Sequence, residues 1–266
     1  MIVCVTGTGT DVGKTVATAA LAVHLVQDGH RVGVVKPVQT GEPGGPSDRG
    51  DLATVHRLTG ITDLHEFHRY PEPLAPDLAA RRAGMPAAQL PDIARRLRTL
   101  DAADPDRILL VEGAGGILVR LGENWTLADL AVELDAPVVV VTTLGLGSLN
   151  AAELTVRCAL DHGLRVLGLV GGSLPPDPDL ATGLNVAELP VVTGVPLLGC
   201  VPAGAGQLVP AEFAALARTA LALPFTCCHP AGHAKTRPDL LGGGDPGGSV
   251  LVGLTGFEPA TPTPPV

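Results

Sequence analysis

Short continuous apolar runs alternate along this chain with stretches where apolar residues recur at every third or fourth position. Ile2–Val5, Val32–Val35, Ile108–Val111, Pro137–Thr142, Val166–Val170 and Leu197–Val201 are of the first kind, the pattern of strands buried on both faces. Val16, Ala19, Ala20, Val23 and Val26 repeat at helical spacing and predict a helix ending near Asp28-Gly29. Further helices are expected over Leu52–Leu58, Thr126–Leu134, Leu149–Asp161, Leu184–Val192 and Ala211–Leu223. Residues 61–91 read as irregular, with prolines at 71, 73, 76, 86 and 91. In and beyond that stretch short helices are expected at Asp77–Ala83 and Asp92–Leu100. Strands alternating with helices predict an α/β fold with a mostly parallel central sheet and helices on both faces.

The junctions between these elements hold the candidate chemistry. After the first strand comes Thr6-Gly7-Thr8-Gly9-Thr10-Asp11-Val12-Gly13-Lys14-Thr15, a glycine-bearing loop that runs into the first helix. In that context backbone N–H groups and the positive helix end face one anionic pocket, Lys14 adds a mobile charge, and the Thr15 hydroxyl can ligate Mg²⁺. The usual phosphate-loop pattern has one residue fewer between its glycines. The second strand ends at Lys36-Pro37-Val38-Gln39-Thr40-Gly41, which places Lys36 at the carboxyl edge where open α/β sheets bind ligands. A loop over 42–50 follows, then Asp51, an N-cap candidate for the next helix. Glu112 closes the apolar run Ile108–Val111. A carboxylate there needs a partner, and Mg²⁺ near a phosphate loop is a natural one. The small residues Gly113-Ala114-Gly115-Gly116 let backbone amides approach a phosphate or substrate. Ser148 is an N-cap candidate for the helix from Leu149. His65, His68 and Tyr70 lack metal-ligand company and read as solvated side chains.

Composition narrows the function. The net charge of -9 and the absence of a basic patch argue against nucleic acid, and 2% aromatic residues argue against base-stacking surfaces. No apolar run is long enough for a membrane span and no leader is apparent, so a cytoplasmic location is expected. The five cysteines (Cys4, Cys158, Cys200, Cys227, Cys228) lack metal-ligand spacing and read as reduced thiols, with the first three in apolar segments. Among 18 basic residues only Lys14, Lys36 and Lys235 are lysine, and the first two sit beside glycine- or proline-marked turns. A compact ammonium is not interchangeable with a guanidinium fork. Residues 225–266, rich in Gly and Pro, are expected to be a disordered tail after a domain spanning 1–224. Gly256-Phe257-Glu258-Pro259 is also what a transfer-RNA T-arm encodes when read as codons, so translation past a natural stop is a second reading of the tail.

Together, the phosphate loop, Lys36-Pro37-Val38 with Thr40-Gly41, and Glu112-Gly113-Ala114-Gly115-Gly116 resemble dethiobiotin synthetase over residues 1 to about 223. The resemblance implies a P-loop NTPase-type three-layer sandwich and an ATP- and Mg²⁺-dependent ligase. Such a ligase closes the ureido ring of dethiobiotin from 7,8-diaminopelargonate and carbon dioxide. By position, Thr15, Asp51 and Glu112 would hold Mg²⁺, and Asp11, Val12, Gly13, Lys14, Thr15 and Val16 would wrap the phosphates. Lys36 and Lys14 would be catalytic, and Thr10 and Thr40 would meet substrate. Gly113, Ala114 and Gly115 would border the phosphates and the carbamate. Ser148, Leu149 and Asn150 match the place where the family holds the substrate carboxylate from the second subunit, which implies a homodimer. For the base, family members often carry Asn-Asp where this chain has Gly172-Ser173. What remains is Ser173, the backbone there and Pro202-Ala203-Gly204, so room beside Gly172 and use of CTP or other nucleoside triphosphates alongside ATP are expected. A partitioning ATPase of the ParA and MinD type, or a non-catalytic nucleotide sensor, is the alternative from the same fold.

Overall fold

A computed structural model describes residues 1–42 and 50–223 of the chain. Along it run β1 (Ile2–Gly7), α1 (Lys14–Gln27), β2 (Arg31–Thr40), α2 (Asp51–Thr59), β3 (Leu64–Tyr70), α3 (Pro76–Ala83) and α4 (Leu90–Ala103). Then come β4 (Arg107–Gly116), the short β5 (Arg120–Gly122) and β6 (Trp125–Thr126), α5 (Leu127–Glu133), β7 (Val138–Thr142) and α6 (Ser148–Asp161). The described chain ends with β8 (Val166–Leu174), α7 (Leu180–Thr193), β9 (Leu197–Pro202) and α8 (Pro210–Ala220). Seven strands form one parallel sheet in the order β3-β2-β4-β1-β7-β8-β9, and β5 and β6 form a separate antiparallel hairpin. The expected α/β fold with helices on both faces is what the chain adopts.

The near-continuous apolar strands follow from that double cover. Val3, Val5, Val34, Leu110, Val139 and Val141 face α1, α2 and α8, whereas Ile2, Cys4, Val35, Leu109, Val111 and Val138 face α4 and α5. Val140 and Leu169 pack with α6 and α7. Successive side chains point to opposite faces, so a strand with helices on both sides must be apolar at every position. The first turn of α5 is held by a capping box, in which Thr126 and Asp129 satisfy each other's backbone N–H.

Several boundaries differ from the sequence reading. β3, which pairs only with β2, lies in the stretch expected to be irregular. As an edge strand it is half-buried and carries polar residues, so neither period appears. His65 and His68 sit half-buried in it, His65 against Asp63 at 2.7 Å, and Tyr70 is buried with its hydroxyl donating to Pro86 O. β2 runs on through Pro37 to Thr40. The Val34 N–H donates to Asp63 O on the β3 side, so by alternation the missing N–H of Pro37 falls on the β4 side, beyond the last pair there, Val35 with Val111. β8 likewise continues through Gly171, Gly172 and Ser173, and α7 starts a turn before Leu184, with the Asp179 side chain accepting from Thr182 N. The N-caps of α2 and α6 are Gly50 and Gly147, not Asp51 and Ser148. Cys4 is buried, and burial pushes its thiol up to about 12; Cys158 and Cys200 are half-buried free thiols. The 225–266 tail and positions 43–49 of the expected loop lie outside the described residues, as do Cys227 and Cys228.

The end of β8 packs on the loop after β1 with no space between backbones. A Cβ on Gly172 would lie 1.7 Å from Val12 O, and one on Gly13 would lie 2.6 Å from Gly172 O. Gly172→Ala should therefore lower stability in urea melts by about 1–3 kcal/mol, the usual cost of overpacking. Gly183, inside α7 with nothing within 4 Å of a built Cβ, should do the opposite. Gly183→Ala is expected to add about 0.5–1 kcal/mol. Equal effects of the two substitutions would contradict this packing.

Candidate active site

Three neighbouring strands and two helix starts bring the polar residues together. Val35 of β2 pairs with Val111 of β4, so the next residues, Lys36 and Glu112, stand side by side at the carboxyl end of the sheet. Glu112 also registers with Val5 of β1, whose chain turns directly into α1 and delivers Lys14 and Thr15. α2 follows β2 and starts at Asp51, opposite the same point.

Of the side chains that meet there, Lys36 and Glu112 are buried and Thr15 and Asp51 are partly exposed to the cleft. Lys36 Nζ donates to Glu112 Oε1 at 3.0 Å and to Gly113 O at 2.8 Å, and it also pairs with Asp51 Oδ2. The Thr15 hydroxyl lies 2.9 Å from both Asp51 Oδ1 and Glu112 Oε1, with one proton to share between them. Glu112 is 1% exposed and its Oε2 has no hydrogen-bond partner, although Oε1 has two. Burial alone would lower the Lys36 pKa, but the Glu112 and Asp51 carboxylates outweigh it and hold the ammonium above the usual lysine value. Burial pulls the Asp51 pKa up while Lys36 pulls it down further, and the net shift is downward. For Glu112 burial prevails over Lys36, and its carboxyl is raised. One ammonium between two carboxylates, Glu112 buried and Asp51 partly exposed, leaves the buried one undercompensated.

The loop between β1 and α1 is built to receive an anion. Asp11 and Gly13 have positive φ, 57° and 93°, and Gly13 caps α1 with no side chain and no acidic residue in the first turn. The first N–H groups of α1 are thus not taken by a side-chain cap. Lys14 Nζ donates to Gly9 O at 2.7 Å within the loop. Its pKa is lowered, first by burial and then by Lys36.

A cleft of about 860 Å³ opens over this cluster. Thr10, Asp11, Gly13, Lys14, Thr15, Val16, Lys36, Thr40, Asp51, Glu112, Ala114 and Gly115 line it, as the sequence suggests. Val12 and Gly113 do not. Val12 is buried beneath the loop, and Gly113, which has no room for a Cβ against Leu127, contributes its carbonyl to Lys36. Gly172, Ser173, Pro202, Ala203 and Gly204 also lie outside the cleft lining. Near the end of β8 Gly172 packs on Val12 O while Ser173 is exposed, and Ala203 N donates to Leu174 O beside them. The expectation that Gly172 opens room is wrong, because Val12 O and Val141 fill the place of its side chain. Ser148, Leu149 and Asn150 start α6 away from the cleft, and the Ser148 Oγ accepts from Asn185 Nδ2 instead of capping the helix. Unforeseen lining comes from Gln39, from Val119 and from Pro73, Leu74, Ala75 and Pro76. The proline-bracketed segment reads in sequence only as a connection. Gln39, one residue before Thr40, was the findable one.

Comparison with known proteins sets this geometry in a family. Residues 2–206 match the family model described as AAA domain. The chain is 62% identical over 224 residues to the ATP-dependent dethiobiotin synthetase BioD of Corynebacterium efficiens, covering 84% of this chain and 99% of that protein. It is 56% identical over 220 residues to the protein of the same name from Rhodococcus jostii, covering 82% and 93%. Among solved structures, the cell division ATPase MinD of Pyrococcus furiosus superposes with a TM-score of 0.49 at 19% identity, covering 82% of this chain and 94% of that one.

The ion cluster makes opposite predictions for its members in metal-free protein. Asp51, held below its ordinary value, contributes stability that is present above the unfolded pKa and lost as pH falls through the folded one. Lys36→Met removes that contribution and strands the buried Glu112 beside the partly exposed Asp51. It should cost about 3–5 kcal/mol in urea melts at about pH 7. Glu112, held above its ordinary value, costs stability progressively as pH rises from the unfolded pKa to the raised folded one, and by the full amount above that. Glu112→Gln should therefore be more stable than wild type at about pH 8, and the gain should shrink as pH falls. A loss for Glu112→Gln at alkaline pH would contradict the charge assignment.

Proposed function

The chain belongs to the ATP-dependent dethiobiotin synthetase family and is an ATP-dependent ligase of biotin biosynthesis; from that premise we propose how its own residues run the reaction. The observation that supports the reading best is the buried Lys36–Asp51–Glu112–Thr15 cluster beneath the phosphate loop.

Mg²⁺ suits this donor set. Two carboxylates and a hydroxyl converge, Glu112 Oε2 is buried without a partner, and hard oxygen ligands are what Mg²⁺ takes alongside phosphate oxygens and water. Among the described residues no group of three or more His, Cys, Asp or Glu side chains is placed to hold a metal ion, which accords with a site that phosphate oxygens must complete. Thr15, Asp51 and Glu112 are the proposed ligands. When bound, Mg²⁺ would draw charge from the phosphate oxygens it touches. Residues 11–16 would receive the phosphates at the start of α1, and Lys14 would exchange Gly9 O for a phosphate oxygen.

The proposed substrate, 7,8-diaminopelargonate, would lie along Thr10, Thr40 and the Gly113–Gly115 backbone. One amine would take up carbon dioxide as a carbamate, whose oxygen attacks the γ-phosphorus, breaks its bond to the β,γ-bridging oxygen and releases the nucleoside diphosphate, leaving a carbamic-phosphoric anhydride. The second amine then attacks the carbamate carbon, closes the ring and expels phosphate. Each step gathers negative charge where Lys36 stands, protonated and fixed by three acceptors. Positioning and electrostatic stabilisation supply most of such a rate enhancement.

The finer partner assignments follow from surface and backbone. A homodimer is proposed because Leu118 and Leu154 are exposed at a groove between residues 116–119 and α6. Val119 belongs to both that groove and the cleft. A second copy would cover the leucines and bring Ser148, Leu149 and Asn150 to the partner's substrate carboxylate. For the base, the end of β8 offers backbone and the Ser173 hydroxyl in place of a side-chain amide, which favours relaxed selectivity and use of CTP. Free thiols at Cys4, Cys158 and Cys200 suit the cytoplasm. No described helix is long and apolar enough to cross a membrane.

The direct test is conversion of diaminopelargonate, bicarbonate, Mg²⁺ and nucleotide to dethiobiotin, read by mass spectrometry. Lys36→Ala is expected to lose roughly 10² or more in rate, and near wild-type turnover would remove Lys36 from the chemistry. In equimolar competition of the four nucleoside triphosphates, CTP should be consumed at least as fast as ATP; a strong preference for ATP would sink the base reading. Leu154→Glu should shift sedimentation from dimer to monomer and raise the KM for diaminopelargonate. An unchanged mass would rule out this dimer face.

A further inference from the structure

Asp51 reaches the cluster from a helix that has no cap of its own. It is the first residue of α2, and the residue before it, Gly50, has no side chain with which to accept from the first turn. First-turn N–H groups need acceptors from elsewhere. For Asp51 N that acceptor is Gln39 Oε1, at 3.0 Å and twelve residues away in sequence.

Gln39 is well suited to this task. Its side chain is 5% exposed at the cleft wall, and its Nε2 donates to Thr40 O at 2.9 Å. Those two bonds settle which way the amide points. A flipped amide would set two donors against each other at Asp51 N and two acceptors at Thr40 O. The same side chain therefore joins the carboxyl end of β2, which bears Lys36 and Thr40, to the backbone of Asp51. Asp51 is held at both ends: its main chain by Gln39, its carboxylate by Lys36 and Thr15.

We propose that Gln39 is a positioning residue for the metal site, holding the first turn of α2 against β2 so that the Asp51 carboxylate faces Thr15 and Glu112. The proposal rests on the reading of Asp51 as a metal ligand. Outer contacts of this kind typically govern metal affinity by 10- to 100-fold.

The experiment uses Mn²⁺ as the probe, titrated into the full chain with a non-hydrolysable nucleoside triphosphate and followed by electron paramagnetic resonance. Gln39→Ala should weaken Mn²⁺ binding by roughly tenfold or more, while binding of the nucleotide without metal stays as in wild type. Gln39→Glu keeps an oxygen acceptor for Asp51 N–H but loses the bond to Thr40 O, so it should weaken Mn²⁺ binding less than Gln39→Ala does. Wild-type Mn²⁺ binding in Gln39→Ala overturns the proposal, as does equal weakening in Gln39→Glu and Gln39→Ala. Weakening of metal-free nucleotide binding in parallel with Mn²⁺ binding would also overturn it, since that is a general loss of structure. Asp51→Asn separates the two readings. If it leaves Mn²⁺ binding intact, the ligand assignment fails. If it abolishes binding while Gln39→Ala binds Mn²⁺ as wild type does, only the positioning role fails.

Discussion

A lysine ammonium buried between two carboxylates is the constraint around which this molecule is arranged. Lys36 and Glu112 are removed from bulk water and Asp51 is partly so, and a desolvated charge persists only with close partners. The positive charge falls one short of the negative, which is why burial wins at Glu112 and loses at Asp51. A hydrophobic trio of similar volume would hold the fold at less cost. The cluster is therefore best understood as machinery, preset to accept further positive charge beside a loop that accepts negative charge.

The sheet supplies the precision that such a cluster needs. In a parallel sheet every strand of this set ends on the same edge, and the order β2-β4-β1 places Lys36, Glu112 and the phosphate loop on adjacent strands. Packing then presses the elements together without side chains between them. Gly172 meets Val12 O, and Gly113 leaves its space to Leu127. Loops mounted on such contacts have little freedom to drift, and a site whose catalysis rests on electrostatics depends on that.

The fold was legible because the helix-covered strands must be apolar at every position, and Val3-Cys4-Val5 or Leu109-Leu110-Val111 display that constraint directly. β3 was not legible. Its sequence, Leu-His-Glu-Phe-His-Arg-Tyr, belongs to an edge strand with one neighbour, where neither strand alternation nor helical spacing is enforced. The cleft wall Pro73–Pro76 was missed because nothing local marks a connection that folds back over Gly41. Gly172 was misread for the opposite reason: a missing side chain leaves space only if no neighbour occupies it.

What the sequence determined by itself was the alternation of strands and helices, the phosphate loop, and the choice of Lys36, Asp51 and Glu112 as the charged groups beside it, although β2 and β4 run on past Lys36 and Glu112. Those features depend on residues close in the chain, whose period, turn chemistry and charge can be read locally. The tertiary structure alone decided that Lys36 stands between the two carboxylates, that Gln39 rather than a helix cap serves the backbone of Asp51, and that Gly172 closes against the phosphate loop. Each of these joins residues far apart in sequence, and strand order, register and backbone approach are properties of the assembled sheet.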